Sequence, residues 1–230
     1  MTLAERSALS PSFSFTVTVG ILDDHQMLTD ALAAILARSP SIRVVFKAYD
    51  CAGLRAALKG ACPQVLLLDD SLPDGDGINL VAEIIEAWPK TAVLVLTSMS
   101  NDPALMRALD AGVAGFVPNH GSLDVLLASI RQAAAGEMVA PNWLLRRLLG
   151  HSRGGLPLVI KPDTVPQFTP LEREILDLLV EGRSSAEMVA ALTMPPHTLR
   201  SHIGSLMSKL GVHSRLQAAT FAIKHGLVSA

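Results

Sequence analysis

Three aspartates stand at the ends of short apolar runs, where they could form an acidic pocket. Asp23 and Asp24 follow the run that ends at Leu22, and Asp69 closes the run that begins at Val65. Carboxylates at close range repel one another unless a hard cation neutralises them, and Mg²⁺ suits such an all-oxygen site. A carboxylate beside Mg²⁺ can attack phosphorus and form an aspartyl phosphate. Each aspartate alone could equally be a helix cap or a loop residue, but the three together favour the pocket.

The elements that would position these carboxylates alternate in type along the chain. Apolar runs at 16–22, 42–49, 65–69, 92–98 and 114–117 predict strands, and stretches at 25–39, 52–60, 77–88, 103–112 and 122–136 predict helices. Apolar strands alternating with helices are typical of a doubly wound parallel sheet of five strands with flavodoxin-like order. Ligands of such sheets bind at the carboxyl ends of the strands, where Thr97 would add a hydroxyl. The first helix has apolar residues at helical spacing, and we expect Met27 to fill the core or its rim; these residues are Met27, Leu28, Ala31, Leu32, Ile35 and Leu36.

The C-terminal region has a different pattern, because only helices are predicted after Thr169. Two capping boxes, Thr169 with Glu172 and Ser184 with Glu187, open the first two helices. A tight turn at 193–196 leads to a third helix at about 197–210, and a fourth covers about 214–225. Two short helices joined by a tight turn, the second of them basic, predict a small all-α helix-turn-helix domain.

These patterns divide the chain into four segments. Residues 1–15 are Ser-rich and aperiodic and predict a flexible tail, and residues 16–137 form the α/β domain. Residues 138–166 are rich in Gly and Pro toward their end and predict a linker, and residues 167–230 form the helical domain.

Composition narrows the class of protein. The chain has 230 residues, which suits two small domains, and two cysteines, which exclude a disulfide scaffold. No run approaches the ~20 apolar residues of a membrane span, and the N-terminus lacks a secretory pattern, so a cytoplasmic protein without a membrane partner is expected. The α/β region carries 14 acidic against 8 basic residues, whereas no acidic residue follows Glu187. This asymmetry favours a cation as the ligand of the N-terminal region and a polyanion as the ligand of the C-terminal region.

Several motifs resemble a known family. Residues 21–25 (ILDDH), 67–73 (LLDDSLP) with Asp76-Gly77, 96–98 (LTS) and 114–118 (AGFVP) are similar to the receiver domain of bacterial response regulators. Residues 169–176 (TPLEREIL), 198–203 (TLRSHI) and 209–212 (KLGV) are similar to the LuxR-type DNA-binding domain. The combination resembles the NarL/FixJ family, which implies a DNA-binding response regulator of a two-component system rather than an enzyme.

The resemblance implies a role for each matched position of the first domain. Asp69 falls where the family is phosphorylated by a histidine kinase, and Asp23 and Asp24 fall on its Mg²⁺-binding pair. Ser71 falls on the residue whose backbone carbonyl also binds the ion. Thr97 and Phe116 match the hydroxyl and aromatic switch positions of the family. At these positions the added charge of the phosphoryl group shifts the equilibrium between two conformations.

One position of the phosphoryl site departs from the family pattern. The family has a lysine after the fifth strand, and this chain has Asn119. An amide donates a hydrogen bond but carries no positive charge, so the phosphorylated state loses a contact worth about 1.5–3 kcal/mol. We therefore expect weakened or atypical phosphoryl switching.

The third helix of the C-terminal domain carries the candidate DNA contacts. Arg200, Ser201 and Gly204 fall at base-facing positions of the family, and Thr198 and Lys209 at backbone contacts. Arg reads guanine in the major groove, whereas Gly204 has no side chain for hydrogen bonding. His202 and Ser208 complete the predicted DNA-binding set, and Pro195 stands at the N-cap in place of a capping serine. Dimerisation is expected, because paired half-sites multiply affinity for DNA.

Two other functions are compatible with the residues. In one, a ligand or partner protein drives the switch of the same kind of regulator, because Asn119 weakens the phosphate route. In the other, the chain is a Mg²⁺-dependent phosphoryl-transfer enzyme with Asp69 as nucleophile. Ser71 stands two residues after Asp69, where such an enzyme needs a general acid, and no segment predicts a substrate-binding cap.

Overall fold

The structure is a computed structural model that describes residues 16–60, 62–97, 102–141, 144 and 166–227. The predicted tail at 1–15, most of the predicted linker and the end of the predicted strand at 98 lie outside these residues. The predicted domain boundaries therefore stay predictions. Within the described residues no helix is both long and apolar enough to cross a membrane.

Five strands form one parallel sheet. They are β1 (Val17–Leu22), β2 (Ile42–Ala48), β3 (Val65–Asp69), β4 (Ala92–Thr97) and β5 (Gly115–Pro118). Their spatial order is β2-β1-β3-β4-β5, and every neighbouring pair is parallel. The doubly wound sheet of flavodoxin-like order is thus confirmed, and the order places β1 and β4 on either side of β3.

Helices cover both faces of the sheet. They are α1 (Gln26–Ala37), α2 (Cys51–Ala57), α3 (Val81–Ala87), α4 (Asp102–Ala111) and α5 (Leu123–Ala134). Leu67 of β3 packs in one core with residues of α1 and α5, whereas Leu66 and Leu68 pack in another with residues of α2, α3 and α4. Because successive side chains point to opposite faces, a strand buried on both sides must be apolar throughout.

Four helices form the C-terminal unit. They are α6 (Pro170–Val180), α7 (Ser185–Leu192), α8 (Pro196–Leu210) and α9 (Arg215–Lys224). Both predicted capping boxes are present at the starts of α6 and α7. Thr193 turns the chain between α7 and α8 with a φ of 48°, and Gly211 ends α8 with a φ of 66°. The predicted helix-turn-helix arrangement is confirmed.

Two local predictions are wrong. The predicted helix at 77–88 begins instead with a 3₁₀ turn at Gly77–Leu80, in which Gly77 lies so close to β3 that a Cβ atom would be 2.2 Å from the Asp69 carbonyl oxygen. The apolar positions of α1 are also less buried than their spacing predicts. Met27 is 88% exposed, and Leu28 and Ile35 are exposed as well, whereas Leu36 is fully buried. Thr29 is fully buried too, so α1 faces the core with the side that carries Thr29 and Leu36.

Val139 extends the edge of the sheet beyond β5. Its carbonyl oxygen accepts a hydrogen bond from the Phe116 N–H at 2.9 Å, and its own N–H donates to the Ala114 carbonyl at 3.2 Å. A Cβ atom on Gly115 would lie 2.1 Å from the Val139 oxygen, so only glycine permits this approach. The backbone after α5 is thereby fixed to the α/β unit at least as far as residue 139.

Candidate functional site

The three predicted aspartates meet at the carboxyl edge of the sheet. Strands β1 and β3 are neighbours with Leu22 opposite Leu68, so the residues that follow and close them lie side by side. Asp23 and Asp69 are buried, and Asp24 is exposed. One ligand atom from each of Asp23, Asp24, His25 and Asp69 lies within 4.8 Å of the others. This separation suits a single cation between the carboxylates.

His25 belongs to this cluster although the sequence analysis assigned it no role. Its Nδ1 lies 3.1 Å from Asp23 Oδ1 and 2.9 Å from Asp24 Oδ1, and its backbone N–H donates to Asp23 Oδ1. A hydrogen bond to Asp23 and the charge of Asp24 raise the pKa of His25. The only sequence signal was its position directly after two aspartates.

Burial and nearby negative charges both oppose the ionisation of Asp69. The pKa of Asp69 is raised to about 6, first by burial and then by the negative charges of Asp23, Asp70 and Asp24. Several carboxylate oxygens at this spacing can surround one hard cation, whose charge offsets their mutual repulsion. The residues present therefore fit the Mg²⁺ site that receiver domains form with acidic residues.

Of the predicted switch residues, Thr97 and Asn119 lie at the carboxyl edge of the sheet, and Phe116 lies in the core. Thr97 ends β4 beside β3, and its hydroxyl donates to Asp70 Oδ2 at 3.0 Å. The Thr97 carbonyl accepts a hydrogen bond from the Asn119 N–H at 3.0 Å. Phe116 is buried in the core shared with α2, α3 and α4. Ser71 lies in a two-residue strand that pairs with Gly75–Asp76. The sequence analysis missed Asp70.

Helix α8 carries every predicted DNA contact. Leu199, Ile203 and Leu206 bury its inner face. On the outside, Arg200, Ser201, Gly204, Ser208 and Lys209 are exposed, and Thr198 and His202 are half-buried. Pro195 is the N-cap and makes no side-chain cap, as the sequence predicts. Lys209 donates to Glu172 at 2.7 Å and lies 5.4 Å from the Phe168 ring centre.

In this structure part of the outer face of α8, at Arg200 and Gly204, looks toward the α/β unit. Arg200 and Gly204 line a cleft of about 440 Å³ whose opposite wall includes Lys90, Thr91 and Ala114. The residues of that wall lie at or near the amino ends of β4 and β5, at the edge of the sheet opposite the acidic pocket. Double-stranded DNA cannot enter a cleft of this size.

A buried ion pair holds the two units together. Arg215 Nη1 lies 3.0 Å from Glu137 Oε2 and donates to Ser185 Oγ at 2.8 Å. The Ser185 N–H, at the start of α7, donates to the same carboxylate at 3.2 Å. Arg215 is 8% exposed, and burial lowers its pKa while Glu137 acts in the opposite direction. The carboxylate therefore satisfies both a buried guanidinium and a helix N-terminus.

Further hydrogen bonds flank this ion pair. The Ser214 hydroxyl donates to the Val113 carbonyl at 2.8 Å, and Gln217 Nε2 donates to the Asp110 carbonyl at 2.7 Å. Lys224 pairs with the Asp110 carboxylate. The contacts join the C-terminal end of α4 to α9. No sequence pattern predicted them.

Comparison with known proteins defines the class. Residues 19–131 match the response regulator receiver domain, and residues 166–222 match the luxR family of bacterial regulatory proteins. The chain is therefore a response regulator that joins a receiver to a LuxR-type DNA-binding domain. It belongs to the NarL/FixJ family.

Individual relatives match along nearly their whole length. The DNA-binding transcriptional activator DevR/DosR of Mycobacterium tuberculosis is 32% identical over 206 residues, which cover 90% of this chain and 94% of the relative. Response regulator VraR of Staphylococcus aureus is 28% identical, with coverage of 93% and 99%. A solved structure of Salmonella typhimurium RcsB has a TM-score of 0.54 and 28% identity, covering 90% of this chain and 97% of RcsB.

The raised pKa of Asp69 generates a test of the pocket in the metal-free protein. The folded state favours the protonated carboxyl, so ionisation above about pH 6 opposes folding, and this cost disappears as the pH falls toward 4. Asp69→Asn removes the charge at constant shape. We expect it to stabilise the protein by roughly 1–3 kcal/mol at pH 7.5, and by progressively less between pH 6 and 4.5, in urea unfolding without divalent cations.

Glu86→Gln is the control, because Glu86 is an exposed carboxylate on α3 remote from the pocket. It should change the free energy of unfolding little at any of these pH values. An Asp69→Asn difference that stays constant from pH 7.5 to 4.5 would show that the pKa of Asp69 is not raised in the folded protein.

Proposed function

We propose that Asp69 accepts a phosphoryl group and that this modification controls DNA binding by α8. The observation that carries the proposal is the convergence of Asp23, Asp24 and Asp69 within 4.8 Å at the carboxyl edge of the sheet. In this reaction a carboxylate oxygen of Asp69 attacks phosphorus, a P–O bond forms, and the bond from phosphorus to the donor breaks. A histidine kinase is the proposed donor.

Asp23, Asp24, Asp69 and the Ser71 carbonyl are the proposed ligands of Mg²⁺. When bound, the ion supplies positive charge that offsets the carboxylates and the phosphoryl oxygens. The chain's own contribution is the fixed position of Asp69 at the end of β3, held by a strand that is buried along its whole length. His25 orients Asp23 and Asp24 through its ring nitrogen.

Thr97 and Phe116 are the proposed switch residues, and Asn119 is the residue that weakens the response of this switch to phosphorylation. Asn119 is exposed and is bound to Thr97 through its backbone. Its amide supplies no charge to the phosphoryl group, so the phosphorylated state is stabilised less than it would be with a lysine.

In the proposed resting state the receiver restrains the DNA-binding domain. Arg200 and Gly204 face the α/β unit in the closed arrangement, and the Arg215–Glu137 pair fixes α9 beside them. Phosphorylation would release α8 to enter the major groove as part of a homodimer. A structure of RcsB bound to a promoter with a phosphomimetic, 27% identical and with a TM-score of 0.53, supports this assignment.

In this proposal the protein acts by binding DNA and not by catalytic turnover. The phosphoryl group on Asp69 is then lost only by hydrolysis. A regulator that binds bacterial DNA must share a compartment with that DNA, so we propose that the protein is located in the cytoplasm.

Acetyl phosphate with Mg²⁺ tests the acceptor. We expect a single phosphoryl group on Asp69 by intact mass, no addition to Asp69→Asn, and only partial conversion to dimer by light scattering. Asn119→Lys should increase the dimer fraction several-fold at equal phosphorylation, because the ammonium restores a charge-assisted contact. Phosphorylation that survives in Asp69→Asn would overturn the assignment of the acceptor.

Substitutions in α8 test the DNA contacts. Arg200→Ala should reduce discrimination between specific and unrelated DNA by about 1–3 kcal/mol, because a base contact is lost. Lys209→Ala should weaken binding to all sequences and reduce its salt dependence. Fluorescence anisotropy at several salt concentrations measures both effects. Equal affinities of both variants and wild type for both DNAs would remove α8 as the reading helix.

Removal of the Glu137 carboxylate tests the closed arrangement. Glu137→Gln leaves the Arg215 guanidinium buried without an opposite charge, which destabilises the docked state by about 3 kcal/mol or more. We expect a larger radius of gyration in X-ray scattering and tighter DNA binding without phosphorylation. Glu181→Gln is the matched control, because Glu181 pairs with Arg183 at the surface of the C-terminal unit and not with the α/β unit. Unchanged scattering in Glu137→Gln would contradict the restraint.

A further inference from the structure

Asp70 stands where it can compete with a phosphoryl group for the Thr97 hydroxyl. Strands β3 and β4 pair with Asp69 opposite Leu96, so the next residues along, Asp70 and Thr97, are also cross-strand neighbours. Thr97 is 8% exposed, and its hydroxyl donates to Asp70 Oδ2 at 3.0 Å. The carboxylate next to the proposed acceptor thus already engages the proposed switch hydroxyl.

We propose that Asp70 is a positioning residue that holds Thr97 in the resting orientation and opposes its movement toward a phosphoryl group on Asp69. This inference rests on the proposed function, because it assigns a regulator to the same site. The chemistry concerned is the competition of two anions, a carboxylate and a phosphoryl group, for one hydroxyl proton.

The competition follows from hydrogen-bond chemistry. A threonine hydroxyl has a single proton to donate, so a bond to Asp70 excludes a bond from the same proton to a phosphoryl oxygen. Both acceptors are anionic, and hydrogen bonds to either are charge-assisted. The switch therefore exchanges one strong acceptor for another, and the gain on phosphorylation is smaller than with a neutral residue at position 70.

Asn119 makes this competition decisive. A lysine there would add charge to the phosphorylated state and could outweigh the bond that Thr97 gives up. Asn119 adds no charge, and it is bound to the Thr97 backbone carbonyl. Thr97 is consequently held at its side chain by Asp70, directly after β3, and at its main chain by Asn119, directly after β5.

The first measurement uses the metal-free protein. Three-bond couplings from the Thr97 methyl carbon to the backbone carbonyl carbon and nitrogen report its χ1 angle by NMR. We expect a single rotamer in the wild type and averaging over two or more in Asp70→Ala. Asp124→Ala is the matched control, because Asp124 is an exposed carboxylate in the first turn of α5 and removes an equal charge. A single, unchanged rotamer in Asp70→Ala would overturn the inference.

The second measurement is the affinity for beryllofluoride with Mg²⁺, a phosphoryl mimic, in wild type, Asp70→Ala, Thr97→Val and the double variant. Asp70→Ala should bind roughly tenfold more tightly than wild type, the factor that one charge-assisted bond accounts for. The gain should shrink to about twofold or less in the Thr97→Val background, which lacks the hydroxyl and keeps the shape of the side chain. The residual gain measures simple charge repulsion.

The outcomes separate this inference from the proposed function. If the wild type binds no beryllofluoride, the assignment of the acceptor site fails, whatever the rotamer of Thr97. If the wild type binds it and Asp70→Ala gives an equal gain in both backgrounds, or none, the acceptor site stands and the restraint by Asp70 is wrong.

Discussion

Repulsion among carboxylates at one edge of a parallel sheet is the constraint on which this molecule depends. Asp69 is buried at the end of β3, whose other residues are all apolar. Asp23, Asp24 and Asp70 add negative charge around it. The fold holds these groups together because β1 and β3 are neighbours and a hydrophobic core packs on each face of the sheet. A site held under such repulsion gains from any positive charge and responds strongly to the arrival of a further negative one.

The sequence predicts the parts of this design that follow from periodicity and from strand ends. Apolar runs alternating with helices lead to a parallel sheet, and the sheet places Asp23 and Asp69 at one edge whatever the details of packing. The capping boxes at Thr169 and Ser184 are equally local, since a hydroxyl and a carboxylate three residues apart suffice. For the same reason the inner face of α8 could be identified from Leu199, Ile203 and Leu206 alone.

The contacts that the sequence could not predict depend on register or on long-range docking. Asp70 meets Thr97 only because β3 and β4 pair without an offset, and composition carries no sign of register. Glu137 and Arg215 are separated by 78 residues, and their pairing depends on how the two units dock. The α1 face failed for a related reason. Met27 has the right periodicity, but α1 packs on the sheet through Thr29, Leu32 and Leu36, which leaves Met27 on the solvent side.

Asp110 makes the attachment of the two units cooperative. This one residue, near the C-terminal end of α4, offers its carbonyl oxygen to Gln217 and its carboxylate to Lys224, both on α9. The same helix begins five residues after Thr97 and runs toward the opposite edge of the sheet. A displacement of α4 by even one ångström along its axis would lengthen both bonds at once. Because one residue provides both contacts, the position of α4 is coupled to that of α9 at two points of the same helix.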